Sequence, residues 1–130
     1  MSSTLNVPKA WPVSRAASRL VICAAVVVMP SAYESLSLSV LEAWALGRPV
    51  LVNAECRVLE GQCVRSNAGL FYRGYAEFAP ALRMLVERED LQEGLGAAGR
   101  AYVAREYDWD IVERRAESFL DEIAGARRTA

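Results

Sequence analysis

Two short apolar runs that flank one helical pattern constrain the fold most strongly. Residues 24–29 end in VVVM, and residues 49–53 read PVLVN. Short runs rich in β-branched side chains are typical of buried parallel strands. Between them, residues 37–46 have the apolar spacing of a helix, with Gly47 where a left-handed cap belongs. Strand, helix and strand in this order predict an α/β fold with a parallel sheet.

The remaining segments predict one further strand and several helices. GLFY at 69–72 is a third short strand, and the apolar periods of 76–87 and 91–105 indicate helices. Asp90 and Asp108 are candidate N-terminal caps, and Ser35 or Ser37 is a candidate cap for the helix over 37–46. Short helices are also expected around 57–62 and over 14–20. The last helix, 108–124, is expected to turn five apolar side chains toward the core: Ile111, Val112, Phe119, Leu120 and Ile123.

Composition excludes several classes of function. With 130 residues, 53% of them hydrophobic and 24% charged, the chain is typical of one small globular domain. Fifteen basic and sixteen acidic residues give a net charge of −1. Because no basic field exists to attract phosphate backbones, we expect no nucleic-acid partner.

Histidine is absent from the sequence, which excludes Ser-His-Asp and Cys-His catalysis within this chain. The three cysteines, Cys23, Cys56 and Cys63, match no zinc spacing, so we expect no metal site. Free, reduced thiols and a cytoplasmic location are the simplest interpretation. The alternative is a secreted protein with a Cys56–Cys63 disulfide, because basic residues before the apolar run 20–29 imitate a signal peptide that would end near Ala32.

Two glutamates stand near the mouth of the first predicted helix. Glu34 lies in the loop after the first strand, and Glu42 lies about 12 Å further by rise if all residues between them are helical. Ligands of open α/β sheets bind beyond the carboxyl ends of the strands, and helix N-termini there attract phosphate. Carboxylates accept hydrogen bonds from vicinal hydroxyls, so the arrangement favours a nucleotide-sugar. The alternative is two solvated acids that complement the helix dipole.

The segment PSAYESLSLSVLEAWALGRPVLV, residues 30–52, resembles the signature of the group 1 (GT-B) retaining glycosyltransferases. GLFY at 69–72 and the stretch from 91 to about 124 resemble later elements of the same family. The resemblance implies a partial Rossmann-like parallel sheet, the C-terminal, donor-binding domain of such an enzyme. The residues that match the signature are Pro30, Ser31, Glu34, Ser35, Leu38, Leu41, Glu42, Ala43, Ala45, Gly47, Pro49 and Val50.

The resemblance implies a role for each matching site residue. Glu34 would contact the transferred sugar and act as the catalytic carboxylate, and Glu42 would hold the ribose. Ser35 would lie beside the donor, and backbone amides near Ser37 and Leu38 would meet the diphosphate. The donor substrate is then a nucleotide-diphosphate sugar, transferred with retention, and no cofactor is implied.

Several features depart from the family pattern. Ser37 stands where the family has glycine, and the Gly-Gly-x-Pro-Glu loop after the second strand is replaced by ECRVLEGQ. No acceptor domain and no upstream Arg/Lys pair are recognised. We therefore expect an irregular leader at 1–19, a partial donor-binding domain at 20–125 and a tail at 126–130.

These departures lead to an expectation about activity and partners. The chain alone should be nearly inactive and should need an N-terminal acceptor domain or a partner subunit. Any peripheral contact with a membrane would come through that missing domain. The alternatives are an inactive fragment and a non-catalytic interaction module that binds through an open sheet edge. Trp44 could stack on a base, but a core position is preferred.

Overall fold

The computed structural model describes residues 15–128, within which the chain forms a three-stranded parallel sheet and six helices. The elements in chain order are α1 (Arg15–Cys23), β1 (Val27–Met29), α2 (Leu38–Ala45), β2 (Val50–Asn53), α3 (Arg57–Ser66), β3 (Gly69–Tyr72), α4 (Tyr75–Glu87), α5 (Glu89–Glu106) and α6 (Trp109–Arg128). The predicted α/β class and parallel sheet are confirmed.

The sheet has the order β1-β2-β3, and β2 pairs in parallel with both neighbours. Leu51 faces one hydrophobic cluster with Leu85 and Leu95, whereas Val50 and Val52 face the other. Both faces of β2 are therefore covered, which is why PVLVN is a continuous apolar run rather than an alternating one.

The larger cluster lies where α2, α3 and α5 pack on the sheet. Its centre is Trp44, whose ring is fully buried and meets Tyr102 edge to face at a centroid distance of 5.5 Å. The indole nitrogen donates a hydrogen bond of 2.9 Å to the carbonyl oxygen of Ala68. Trp44 is thus a core residue, as the sequence indicates.

The end of α2 is fixed by glycine. Gly47 has a φ of 70°, its N–H donates to the Trp44 carbonyl, and the N–H of Arg48 donates to the Ala43 carbonyl. This pair of bonds is a Schellman motif, and it confirms the predicted left-handed cap. The motif turns the chain directly into β2.

Two predictions about helix starts had different outcomes. Asp108 caps α6, because its carboxylate accepts the N–H of Asp110 at 3.1 Å. Asp90 is not a cap: α5 begins at Glu89 after the N-cap residue Arg88, and the Asp90 carboxylate binds the Arg88 guanidinium instead. This exposed ion pair holds the pKa of the Asp90 carboxyl below its usual range.

The prediction that α6 packs its apolar face into the core is wrong. Phe119 and Leu120 are 61% and 63% exposed, and Val112 and Ile123 are exposed as well. No residue of α6 belongs to either hydrophobic cluster of the described chain. The helix is attached near its start, where Arg115 binds the side chain and carbonyl of Glu106. The apolar spacing predicted the helix correctly, but it does not say what covers it.

The boundaries at the two ends also differ from expectation. The short helix expected over 14–20 corresponds to α1, which continues to Cys23, so only the later part of the apolar run is a strand. Residues 126–128, expected as a tail, are the last residues of α6. Residues 1–14, most of the predicted leader, lie outside the described residues. Within the described part of the chain, no helix is long and apolar enough to cross a membrane.

Candidate functional site

A cleft of about 540 Å³ lies at the carboxyl edge of the sheet, between the loops that follow β1 and β2. Adjacent parallel strands end at the same edge, so these two loops must converge. The lining residues come four from each side: Ala32, Tyr33, Glu34 and Ser35 from the β1–α2 loop, and Glu55, Cys56, Arg57 and Val58 from the β2–α3 loop and the start of α3.

A second cleft, of about 530 Å³, lies near the amino end of β2. Arg48 and Arg100 line it together with Glu89 and Glu93. Because ligands of open α/β sheets bind at the carboxyl ends of the strands, the first cleft is the better candidate site.

The charged groups of the first cleft are available for a ligand. Glu34, Glu55 and Arg57 all line it, and none of them forms an ion pair within residues 15–128. Glu34 is half-buried, whereas Ser35 beside it is exposed. Both are sequence-predicted site residues, and the structure brings them together at one wall. The cleft can therefore offer hydrogen-bond acceptors and one guanidinium side by side.

The N-terminus of α2 borders the Glu34 loop. Ser37 is the N-cap residue, and its carbonyl accepts the N–H groups of Val40 and Leu41. The N–H groups of Leu38 and Ser39, at the first two helical positions, have no acceptor among the described residues. Unpaired N–H groups at a helix start form an anion site together with the helix dipole.

The expectation that the Ser35 or Ser37 side chain caps α2 is wrong. Ser37 adopts a left-handed conformation with φ 56° and ψ 85°, and its side chain makes no capping bond. Its hydroxyl oxygen is buried and has no hydrogen-bond partner in the described structure. The backbone here takes the conformation that glycine favours, which accounts physically for the glycine of the family pattern.

Glu42 is separate from this cleft. It is half-buried in α2 and is not among the lining residues. Because α2 begins at Leu38, the helical rise from its start to Glu42 is about 6 Å, and the 12 Å expected from a continuous helix after Glu34 does not apply. Its carboxylate has no hydrogen bond or ion pair within the described residues.

Side chains from β2 and α3 hold the loop that carries Glu34. Asn53 Nδ2 donates to the Pro30 carbonyl at 3.2 Å, and Gln62 Nε2 donates to the Leu36 carbonyl at 2.9 Å. The Cys56 thiol donates to the carbonyl of Glu34 itself at 3.8 Å. The expected free thiols are present at all three cysteines, and Cys56 and Cys63 are buried.

Some residues of this site were missed at the level of sequence. Tyr33 at the rim is 92% exposed, and Arg57 and Glu55 face Glu34 across the cleft. Glu55 and Arg57 could have been predicted, because loops that follow adjacent parallel strands converge at the same edge of the sheet. Glu60, in the segment ECRVLEGQ that replaces the family's Gly-rich loop, lies inside α3 and is paired with Arg73. Among residues 15–128 there is no group of three potential metal ligands.

A parallel α/β sheet with a cleft at its carboxyl edge has the arrangement in which open α/β sheets bind their ligands. The family model of the group 1 glycosyl transferases matches residues 12–88, which is more than half of the 130 residues. The chain belongs to this family, and the resemblance drawn from residues 30–52 is confirmed. The comparisons with curated proteins and with solved structures gave no match.

The matched region extends from α1 to the end of α4 and contains the whole cleft. It begins inside the segment expected as a leader, 1–19. It ends before α5, so the resemblance of residues 91–124 to the end of the family sequence stays a prediction.

Proposed function

We propose that this chain binds a nucleotide-diphosphate sugar at the carboxyl edge of its sheet and is the donor-binding part of a retaining glycosyltransferase of the GT-B type. The observation that carries the proposal is the position of Glu34. It lines the cleft from the loop that leads directly into the unpaired N–H groups at the start of α2, in a chain of the glycosyltransferase family.

Each part of such a donor has a chemical counterpart at this edge. The diphosphate suits the N–H groups of Leu38 and Ser39, where the helix dipole is positive. Sugar hydroxyls suit the carboxylate of Glu34, and ribose hydroxyls suit Glu42. Arg57 adds a cation without an ion pair in the described chain. We assign it to the diphosphate, because it lines the same cleft as Glu34.

These groups favour a transfer that needs no side-chain nucleophile. Charge develops on the departing diphosphate, and fixed N–H groups together with a guanidinium stabilise it. The chain has no histidine, and this chemistry requires none. In this proposal the acceptor is bound by another domain or by a partner subunit, in the cytoplasm.

Thermal unfolding of the full chain with UDP-glucose, GDP-mannose, UDP and GDP tests the proposal. A ligand at about 100 times its Kd stabilises the folded state by about 2.7 kcal/mol, which raises the midpoint measurably. We expect a shift in wild type, and Glu34→Ala should reduce it for the two sugar nucleotides, because Glu34 lines the cleft. Glu117→Ala, an exposed carboxylate of α6, is the matched control and should keep the shift. A cooperative transition that none of the four compounds moves would contradict the proposal.

The exposed face of α6 favours a second function, a non-catalytic module that binds a partner protein. Phe119 and Leu120 are both more than half exposed, and exposed apolar side chains that form a patch mark interaction sites. This function would be unaffected by Glu34→Ala and Glu42→Ala, and Phe119→Glu would abolish it. Co-purification of a partner subunit through α6, together with the absence of ligand-induced shifts, would favour it over the donor site.

A further inference from the structure

We propose that Gln62 is a positioning residue for Glu34 and that Cys56 contributes to the same role. In this proposal the β2–α3 unit determines the orientation of the sugar-binding carboxylate. This inference rests on the proposed function, because it takes the sugar role of Glu34 from there. It concerns residues outside the predicted donor-contacting set.

The loop that carries Glu34 does not fix its own conformation through the main chain. Within the described residues, no backbone–backbone hydrogen bond involves residues 31–36. The one local contact is a small turn in which Ser31 Oγ accepts the N–H of Tyr33 at 3.3 Å and donates to its carbonyl at 3.0 Å. The backbone at Glu34 therefore depends on contacts from elsewhere in the fold.

Those contacts come from the β2–α3 unit and bracket Glu34. The Cys56 thiol binds the carbonyl of Glu34, and the Gln62 amide binds the carbonyl of Leu36, two residues further along. Asn53 binds Pro30 at the start of the loop and is itself held, because its Oδ1 accepts the N–H of Glu55 at 2.9 Å. The loop is thus pinned before, at and after the carboxylate.

Gln62 is the strongest of these supports. Its side chain is 2% exposed, so water cannot compete for its amide N–H, and its bond of 2.9 Å is shorter than the 3.8 Å thiol contact. It stands in α3, a regular helix packed on the core through Leu59 and Cys63. A rigid helix therefore transmits its position to a loop that has little regular structure.

The arrangement also joins the two walls of the cleft. Arg57 begins the same helix that carries Gln62, and Cys56 is its N-cap residue. Glu34 on one wall and Arg57 on the other are consequently held by one set of bonds. A sugar held by Glu34 and a diphosphate held by Arg57 would then keep a fixed separation, as transfer at the bond between them requires.

The experiment compares Gln62→Met with Gln92→Met in the full chain. Methionine keeps an unbranched side chain of similar length but has no amide donor. Gln92 is the matched control, because its amide also donates to main-chain carbonyls, those of Leu85 and Val86 at 2.8 and 3.2 Å, away from the first cleft. Two quantities are measured: ¹⁵N order parameters of residues 31–36 without ligand, and Kd values for UDP-glucose and GDP-mannose against UDP and GDP.

We expect Gln62→Met to lower the order parameters of 31–36 and to weaken sugar-nucleotide binding about tenfold, with the affinity for UDP or GDP unchanged. Gln92→Met should change neither. In a double-mutant cycle, adding Gln62→Met to Glu34→Ala should cost no further affinity, because both act on the same carboxylate.

Other outcomes separate this inference from the proposed function. Unchanged loop order in Gln62→Met, or equal losses for UDP-glucose and UDP, would overturn the positioning role even if the donor binds. Additive losses in the double-mutant cycle would also overturn it. Absence of binding of all four compounds to wild type would overturn the proposed function and the sugar role of Glu34 with it. The loop measurement would still decide whether Gln62 orders residues 31–36.

Discussion

Gly96 of α5 lies directly against the carbonyl oxygen of Gly47, with no space for a Cβ atom between them. The helix therefore crosses the turn between α2 and β2 at backbone contact. At Gly99, one turn further along, a Cβ atom would lie 2.5 Å from Cδ1 of Trp44. The seam between α2 and α5 depends on small residues at these two positions.

The first prediction concerns this seam. Gly96→Ala should lower the free energy of unfolding by about 3 kcal/mol, because the added methyl group overlaps main-chain atoms that cannot rotate away. Gly94→Ala in the same helix meets no atom within 4 Å and should raise stability by about 1 kcal/mol through helix propensity. Urea unfolding of both variants measures the difference. Equal effects of the two substitutions would show that the helices do not approach this closely.

The second prediction concerns the left-handed residue before α2. Ser37→Gly should stabilise the fold by about 1 kcal/mol, because it removes the conformational cost of a non-glycine residue at φ 56°. This gain exceeds the loss that comes from the greater entropy of glycine in the unfolded chain. Ser39→Gly, two positions later in the helix, should destabilise by a similar amount. Thermal unfolding of the pair distinguishes a left-handed residue from a helical one, and destabilisation by Ser37→Gly would refute the assigned conformation.

The third prediction compares one substitution at two leucines. Leu59→Ala should cost about 3 kcal/mol, because Leu59 is fully buried in the larger cluster. Leu120→Ala on α6 should change stability by less than about 0.5 kcal/mol, because the side chain is 63% exposed. Chemical denaturation gives both values when it is followed by the fluorescence of Trp44 in a background that carries Trp11→Phe and Trp109→Phe. A large cost at Leu120 would mean that α6 is packed after all.

The fourth prediction is a dependence on pH. Burial raises the pKa of the Cys63 thiol from 9.0 to about 12. Between these values the unfolded chain loses the proton and the folded chain keeps it, so stability is present below pH 9 and falls as the pH rises. The slope from this one group is about 1.4 kcal/mol per pH unit.

Cys63→Ala is the comparison for this prediction, because it removes the titrating group while other residues titrate as before. The free energy of unfolding should fall more steeply with pH in wild type than in the variant. A thiol reagent should modify exposed Cys23 in the native chain and reach Cys63 only after unfolding. Parallel pH profiles would contradict the burial of Cys63.

The sequence allowed prediction of the parts of the fold that depend on local pattern. The strands β1 to β3, the cap at Gly47 and the family signature around Glu34 can each be recognised from a few neighbouring positions. The same locality explains the errors. Asp90 is a residue type that caps helices, but its carboxylate pairs with Arg88 instead. Ser37 has both the residue type and the position of a cap, but its left-handed backbone keeps the side chain from capping.

The support of the Glu34 loop could not be predicted in this way. Gln62 and Cys56 lie 26 and 22 positions from the carbonyls that they bind, and a side chain–main chain bond across such a separation leaves no periodic pattern. The exposure of Phe119 could not be predicted either, because an apolar stripe indicates a helix but does not show which element packs against it.

The attachment of α6 near its start has a consequence for how the molecule unfolds. A helix that adds nothing to either hydrophobic cluster of the described chain can melt without breaking the core. Far-ultraviolet circular dichroism, to which this long helix contributes strongly, should then report an earlier and broader transition than the fluorescence of Trp44, once Trp11 and Trp109 are replaced by phenylalanine. A single midpoint would not describe such a chain, and its stability would have to be given separately for the core and for α6.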